Sequence, residues 1–311
     1  MKILDRYTHG GNQYEFFKLP HEFYLTNLDG TPSDWSTSNR PSVANLKPIS
    51  ERNAIRKRFD IIMIRNHSLN PSRYKPFIKK GAKAIGVVHT VHPFKFPNYV
   101  HHIVFNSKTV MMKYRDFYKG KKTYYIPHGL DPDEFKPLDI ERNDRVLSVL
   151  NAFKVRGKDL GLPLWREVRT NVGCVDLLGS RNDDLKGQHG EDGCGKFMEE
   201  VPMKRLLKYY SKYGVFFNPT AHSAMPRTRV ESMFCKMPLV TTDNYDIGSY
   251  VKHNKTAIIS NDPIELTLGI QRLLDSEDMR IEYGEHARDV AIKHFHIKDN
   301  LARWEEVISK V

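Results

Sequence analysis

Apolar runs and amphipathic stretches alternate along the whole chain. In the first half the runs at residues 3–4, 23–25, 60–64, 84–88 and 102–106 read as strands. Residues 12–18 and 109–118 carry helical content between them, and the β-type run 123–126 closes the series. Strands that are continuously apolar and separated by helices predict a parallel sheet covered on both faces. Residues 29–45, rich in Ser, Thr, Pro and Asn, predict a surface loop.

The pattern restarts near Arg145. Residues 146–150 and 175–179 read as strands, and a Gly-rich polar loop occupies 187–195. Pro202 opens a helix whose apolar members Leu206, Leu207 and Tyr210 fall at helical spacing, with Gly214 as its stop. A strand at 215–217, a helix at 229–234 and a strand at 239–242 follow. Helices at 263–274, 279–295 and 300–311 complete the chain. The expected fold class is α/β, with two Rossmann-like domains facing a cleft. The first is expected over residues 1–140 and the second over 141–311, the last helix packing back on the first domain.

A length of 311 residues suits two domains, and 40% hydrophobic residues can fill two cores. No run approaches 18 apolar residues, and the start of the chain reads as a strand, not a leader. Cys174, Cys194 and Cys235 are too few and too scattered for a disulfide framework, which makes a reducing cytoplasm the expected location. The net charge of +12 is unevenly placed. Residues 1–140 hold 23 Lys and Arg against 12 Asp and Glu, whereas residues 141–311 hold 26 against 25. The densest basic points are Arg56-Lys57-Arg58, Lys79-Lys80 and Lys119, Lys121, Lys122. Such a field attracts polyanions or an anionic membrane surface, giving a cytoplasmic protein peripheral at the membrane.

The most specific segment is 126–137, I-P-H-G-L-D-P-D-E-F-K-P. Pro127 and Gly129 are expected to shape a stiff exposed turn, Asp131 to accept hydrogen bonds from it, and Phe135 to anchor it. The segment resembles I-P-N-G-V-D-x-x-x-F-x-P of the retaining glycosyltransferases with the GT-B fold, where the first domain gives way to the second. Three further stretches resemble the group 1 family of E-x7-E type: 201–220 (V-P-M-K-R-L-L-K-Y-Y-S-K-Y-G-V-F-F-N-P-T), 230–242 (V-E-S-M-F-C-K-M-P-L-V-T-T) and 254–263 (N-K-T-A-I-I-S-N-D-P). Together they cover residues 84–311 and identify a divergent member.

The resemblance implies site residues, and departures from it are visible. Glu231 matches the second hallmark Glu, whose carboxylate accepts both ribose hydroxyls of the nucleotide. Ser223 stands at the first hallmark position, and Ala224-Met225-Pro226-Arg227 replace the usual P-F-G-L. Arg227 and Arg229 are expected to compensate as phosphate clamps. The family's Gly-Arg is displaced as well: Ala152 holds the Arg position. Arg156-Gly157 stands for Lys-Gly, with Lys158 or Lys154 as a second cation on the departing diphosphate. In the first half, His89 matches the strand-end histidine that contacts the transferred sugar, and His9-Gly10-Gly11 matches the glycine loop near the diphosphate. Ser107 matches a serine before a helix.

The implied activity is transfer of a hexosyl group from a nucleotide sugar such as a UDP- or GDP-hexose to an acceptor hydroxyl, with retention. Arg156, Lys158 and His89 would serve catalysis, and Glu231, Arg227, Arg229, Ser223, Gly10 and Gly11 donor binding. No metal or other cofactor is expected, since Asp183-Asp184 lies in a polar loop and the histidines do not meet cysteines at zinc spacing. A glycan or lipid-linked glycan is the expected acceptor. Two alternatives remain open: a viral-type transferase acting on modified DNA bases, and a non-catalytic domain that binds nucleotides or polyanions.

Overall fold

The computed structural model describes residues 1–35, 39–65, 70–153, 155–182 and 195–311. Lys154, Asp183-Asp184 and residues 187–194 of the Gly-rich loop lie outside the described residues. The chain forms two compact units, one of Met1–Gly129 with Ile297–Val311 and the other of Leu130–His296.

The first unit is built on seven parallel strands: β1 (Lys2–Arg6), β2 (Glu22–Thr26), β3 (Leu46–Pro48), β4 (Ile61–Arg65), β5 (Lys83–Val88), β6 (His102–Phe105) and β7 (Lys122–Tyr125). Their order is β3-β2-β1-β4-β5-β6-β7. The order runs outward in both directions from the β1/β4 pair, which makes that pair the topological switch point, where ligands of such sheets bind at the carboxyl ends. The helices are α1 (Gly10–Phe16), α2 (Glu51–Ala54), α3 (Lys75–Lys79), α4 (Lys108–Lys113) and, from the far end of the chain, α10 (Ile297–Ser309). Ser107 starts α4 as expected of it: its Oγ accepts the Val110 N–H at 3.1 Å. Trp304 of α10 packs edge-on against Phe16 of α1, ring centroids 4.7 Å apart, so the last helix belongs to this core.

The second unit holds six parallel strands in the order β10-β9-β8-β11-β12-β13. They are β8 (Asn143–Val149), β9 (Val175–Leu178), β10 (Phe197–Met198), β11 (Tyr213–Asn218), β12 (Leu239–Thr241) and β13 (Ala257–Ile259). Its helices are α5 (Leu162–Val172), α6 (Met203–Lys212), α7 (Arg227–Phe234), α8 (Pro263–Asp275) and α9 (Glu277–Phe295). Val146, Phe153, Trp165, Val215 and Phe217 are buried in one core cluster. The long helices start where the sequence supplies caps. Asp262 accepts from Ile264 N–H with Pro263 following it, and Ser276 accepts from Met279 N–H. Glu277 and Asp278 open α9 and Lys293 and His294 close it, which suits the helix dipole.

Several expectations need correction. Residues 126–130 are buried, not an exposed turn. Gly129 does not adopt a left-handed backbone. It is small because a Cβ there would stand 2.7 Å from Asn300 Cγ and nearer still to Asn300 Cβ. Asp131 and Phe135 behave as expected: Asp131 accepts the Asp133 N–H at 2.9 Å, and Phe135 is fully buried. The compact units divide after Gly129, eleven residues before the expected boundary, because Phe135 and Pro132 already give their carbonyls to Arg288 of α9. Gly214 does not end α6. It lies within β11, beside a register shift, where a Cβ would come 2.6 Å from the Asn143 carbonyl oxygen. Cys235 is a free buried thiol.

Candidate functional site

In the second unit the carboxyl ends of β8, β9 and β11 are tied together by short polar links. Asn182, buried after β9, accepts the Phe153 N–H through Oδ1 at 2.9 Å. Its Nδ2 donates to the Leu150 and Gly179 carbonyls at 2.8 and 3.1 Å. The Asp159 carbonyl accepts the N–H groups of Ala221 and His222 at 3.0 and 2.8 Å. Gly161, with φ +74°, permits this approach, because any Cβ there would run into the Pro219 carbonyl. The turn bearing Arg156 and Lys158 is thereby joined to the segment that carries Ser223 and leads into α7. Arg156 and Lys158 are both exposed, and Ser223 is half-buried.

The four polar residues expected around α7 are not equivalent. Glu231 is 1% exposed, and both its carboxylate oxygens are engaged. Arg227 Nε donates to Oε1 at 2.9 Å, one helical turn away, and Tyr210 Oη donates to Oε2 at 3.1 Å. Arg227 in turn lies over the Phe135 ring, Cζ 5.8 Å from its centroid. Arg229 departs from the phosphate-clamp expectation. Its guanidinium is buried and donates to Asn218 Oδ1 (3.0 Å), Asn244 Oδ1 (2.7 Å), the Thr220 carbonyl (3.0 Å) and Thr242 Oγ1 (3.0 Å). Burial among these neutral oxygens pushes it down to about 9, still cationic at neutral pH. Arg229 therefore cross-links the segments after β11 and β12 instead of facing solvent.

In the first unit the residues expected to matter follow the carboxyl ends of β1 and β5, on either side of the switch point. His89 follows β5 and is half-buried. Gly10 and Gly11 are not a loop but the first turn of α1, both buried and neither at positive φ. His9 caps that turn, its Nδ1 accepting the Asn12 N–H at 3.3 Å. Sequence reasoning missed the group that joins these positions. Asp5 and Arg65 form a buried ion pair, Arg65 Nη2 to Asp5 Oδ2 at 2.7 Å, and Arg65 Nη1 stands 3.0 Å from His89 Nε2. Gln13 Nε2 donates to Asp5 Oδ2 at 3.0 Å, while its Oε1 accepts the Thr8 and His9 N–H groups. The available signal was a charged residue ending each of the apolar runs of β1 and β4.

The exposed clusters Arg56-Lys57-Arg58 and Lys79-Lys80 immediately precede β4 and β5, and Lys119, half-buried Lys121 and Lys122 lie at the start of β7. In a parallel sheet this places them at the amino edge, away from the edge that carries His89. Among the described residues no group of three or more His, Cys, Asp or Glu is arranged to hold a metal ion. No helix among them is long and apolar enough to cross a membrane.

Residues 182–290 match the family model Glycosyl transferases group 1. Over that segment the chain resembles the group 1 glycosyltransferases. Its two parallel sheets have the GT-B fold. The crystal structure of Anabaena Alr3699/HepE in complex with UDP-glucose superposes with a TM-score of 0.77 at 13% identity, covering 100% of both chains. Sucrose-phosphate synthase (tll1590) from Thermosynechococcus elongatus gives 0.74 at 12% identity, covering 100% of this chain and 99% of its own. TarM gives 0.67 at 13% identity over 84% of this chain, which spans 59% of the length of TarM. No curated protein matches the chain by sequence.

Proposed function

We propose that the protein transfers a hexosyl group from a nucleotide sugar, such as a UDP- or GDP-hexose, to a hydroxyl of a glycan or lipid-linked glycan, with retention of anomeric configuration. The observation that carries this reading is the junction at Asp159. It holds the Arg156/Lys158 turn against the segment of Ser223 that opens α7. On this reading Arg156 and Lys158 stabilise the charge that grows on the departing diphosphate. Glu231 takes the ribose hydroxyls, with Arg227 and Tyr210 holding its carboxylate in place. Ser223 offers a neutral hydroxyl to the sugar where a carboxylate is usual. His89 is the first unit's contact with the transferred sugar. The basic amino edge of the first sheet serves a different purpose, contact with an anionic membrane surface.

The decisive experiment is calorimetric titration of UDP and GDP into the wild-type protein and into Glu231→Gln. One nucleotide is expected to bind, and E231Q to weaken it at least tenfold. Equal affinity in E231Q overturns the ribose assignment. Failure of both nucleotides to bind, together with no turnover of UDP-glucose or GDP-mannose, overturns the transferase reading.

A further inference from the structure

Three adjacent strands of the first unit end in a chain of side chains that the family resemblance did not bring to attention. Asp5 near the end of β1 is fully buried, and Arg65 at the end of β4 is 2% exposed. Arg65 binds Asp5 by its Nε, at 3.0 and 3.1 Å from the two oxygens, and by Nη2 at 2.7 Å. The Asp5 carboxylate is further held by Gln13 Nε2 and by the Arg6 backbone N–H at 2.8 Å. The fork of the guanidinium is thus locked, and its remaining nitrogen, Nη1, meets His89 Nε2 at 3.0 Å.

A guanidinium only donates hydrogen bonds. Nε2 must therefore accept, and the proton of a neutral His89 must sit on Nδ1. A proton added at Nε2 would break this bond and set two cations side by side. Asp5 faces the other side of the guanidinium and is already neutralised by it. A buried ion pair is costly to desolvate and is weak as a device for stability alone, but it is well suited to fixing the direction of one donor.

We propose that Arg65, locked on Asp5, is a positioning residue that holds the His89 ring as the neutral Nδ1–H tautomer. His89 then enters the reaction as a hydrogen-bond donor through Nδ1 and not as a base through Nε2. The part of this statement that concerns the reaction rests on the transferase reading above; the tautomer does not.

The test has two independent arms. In the first, nitrogen-15 NMR of the full-length protein at pH 7 reads the imidazole nitrogens, with His89→Asn assigning the His89 signals by their loss. A protonated Nδ1 with an unprotonated Nε2 is expected. An Nε2–H tautomer, or an imidazolium, overturns the proposal. This arm needs neither a folded variant of Arg65 nor a known substrate. In the second arm Arg65→Lys, which keeps the charge beside Asp5 but loses the fork, is compared with wild type using UDP-glucose and GDP-mannose. A tenfold or larger fall in kcat at unchanged nucleotide affinity is expected. Wild-type kcat in R65K overturns the positioning role. If wild type turns over neither sugar nucleotide, the transferase reading fails while the NMR result still decides the tautomer.

Discussion

Gly129 and Asn300 compete for one space. Asn300 of α10 fills the volume that a side chain at 129 would need, and its Nδ2 donates to the Pro127 carbonyl at 2.6 Å. The I-P-H-G segment is therefore clamped from the far end of the chain. Gly129→Ala is expected to destabilise the protein by about 1–3 kcal/mol through overpacking. Urea unfolding measures this, and a midpoint equal to wild type would refute the steric account.

Burial pushes the Cys235 thiol up to about 12 from 9.0, with the Glu231 carboxylate adding to the effect. The folded-state value is raised above the unfolded one, so the folded protein holds the extra proton between pH 9 and 12. Its contribution to stability is complete below pH 9 and is lost as the pH rises toward 12, at a slope of up to about 1.4 kcal/mol per pH unit. Cys235→Ala should show a correspondingly shallower alkaline loss in chemical unfolding. The native thiol should also resist a disulfide reagent at pH 8 and react once the protein is unfolded.

Glu231 lies in a buried triad with Arg227 and Tyr210. Removing the carboxylate leaves the Arg227 charge unbalanced in a buried setting, and Glu231→Ala is expected to cost about 3–5 kcal/mol. Tyr210→Phe removes one hydrogen bond to a charged group and should cost about 1.5–3 kcal/mol. The comparison of unfolding midpoints checks the order. A Y210F loss equal to that of E231A would show that the ion pair contributes nothing of its own.

Gly161 combines φ +74° with close approach to the Pro219 carbonyl. Any side chain must push the Arg156/Lys158 turn away from the Ser223 segment. Gly161→Ala is expected to weaken nucleotide binding at least tenfold and to lower stability by about 1–3 kcal/mol. Calorimetric titration with UDP and GDP separates the two effects. Wild-type affinity in G161A would mean that the junction does not shape the donor site.

Much of the frame was legible because strands in parallel sheets are buried on both faces and appear as plain apolar runs. β4, β5, β8 and β11 were found in this way within a few residues. The short strands β3, β10 and β13 were not, whereas the equally short β12 stood out as an apolar run after a proline. Of the candidate residues, Arg156 and Lys158 sit on a turn bonded through Asp159 to the segment leading to Ser223, whereas Arg229 is buried as a cross-link. An arginine in a helix looks the same in sequence whether it faces solvent or the segments after β11 and β12. Gly10 and Gly11 likewise read as a loop and turned out to be helix, because glycine permits both.

Apolar periodicity along the chain was enough for the alternation of strand and helix and the two-unit plan, and local motifs for the segments that resemble a donor-binding domain. These are local properties, written in apolar periodicity, caps and turn residues. What each polar residue meets depends instead on which strands become neighbours. Asp5, Arg65 and His89 are separated by 60 and 24 residues along the chain, and they converge only because β1, β4 and β5 are neighbours in the sheet. The same holds for the segment that ends at Gly129 in the first unit. Asn300, at the other end of the chain, determines why residue 129 is glycine, and side-chain volume, not backbone freedom, is the reason.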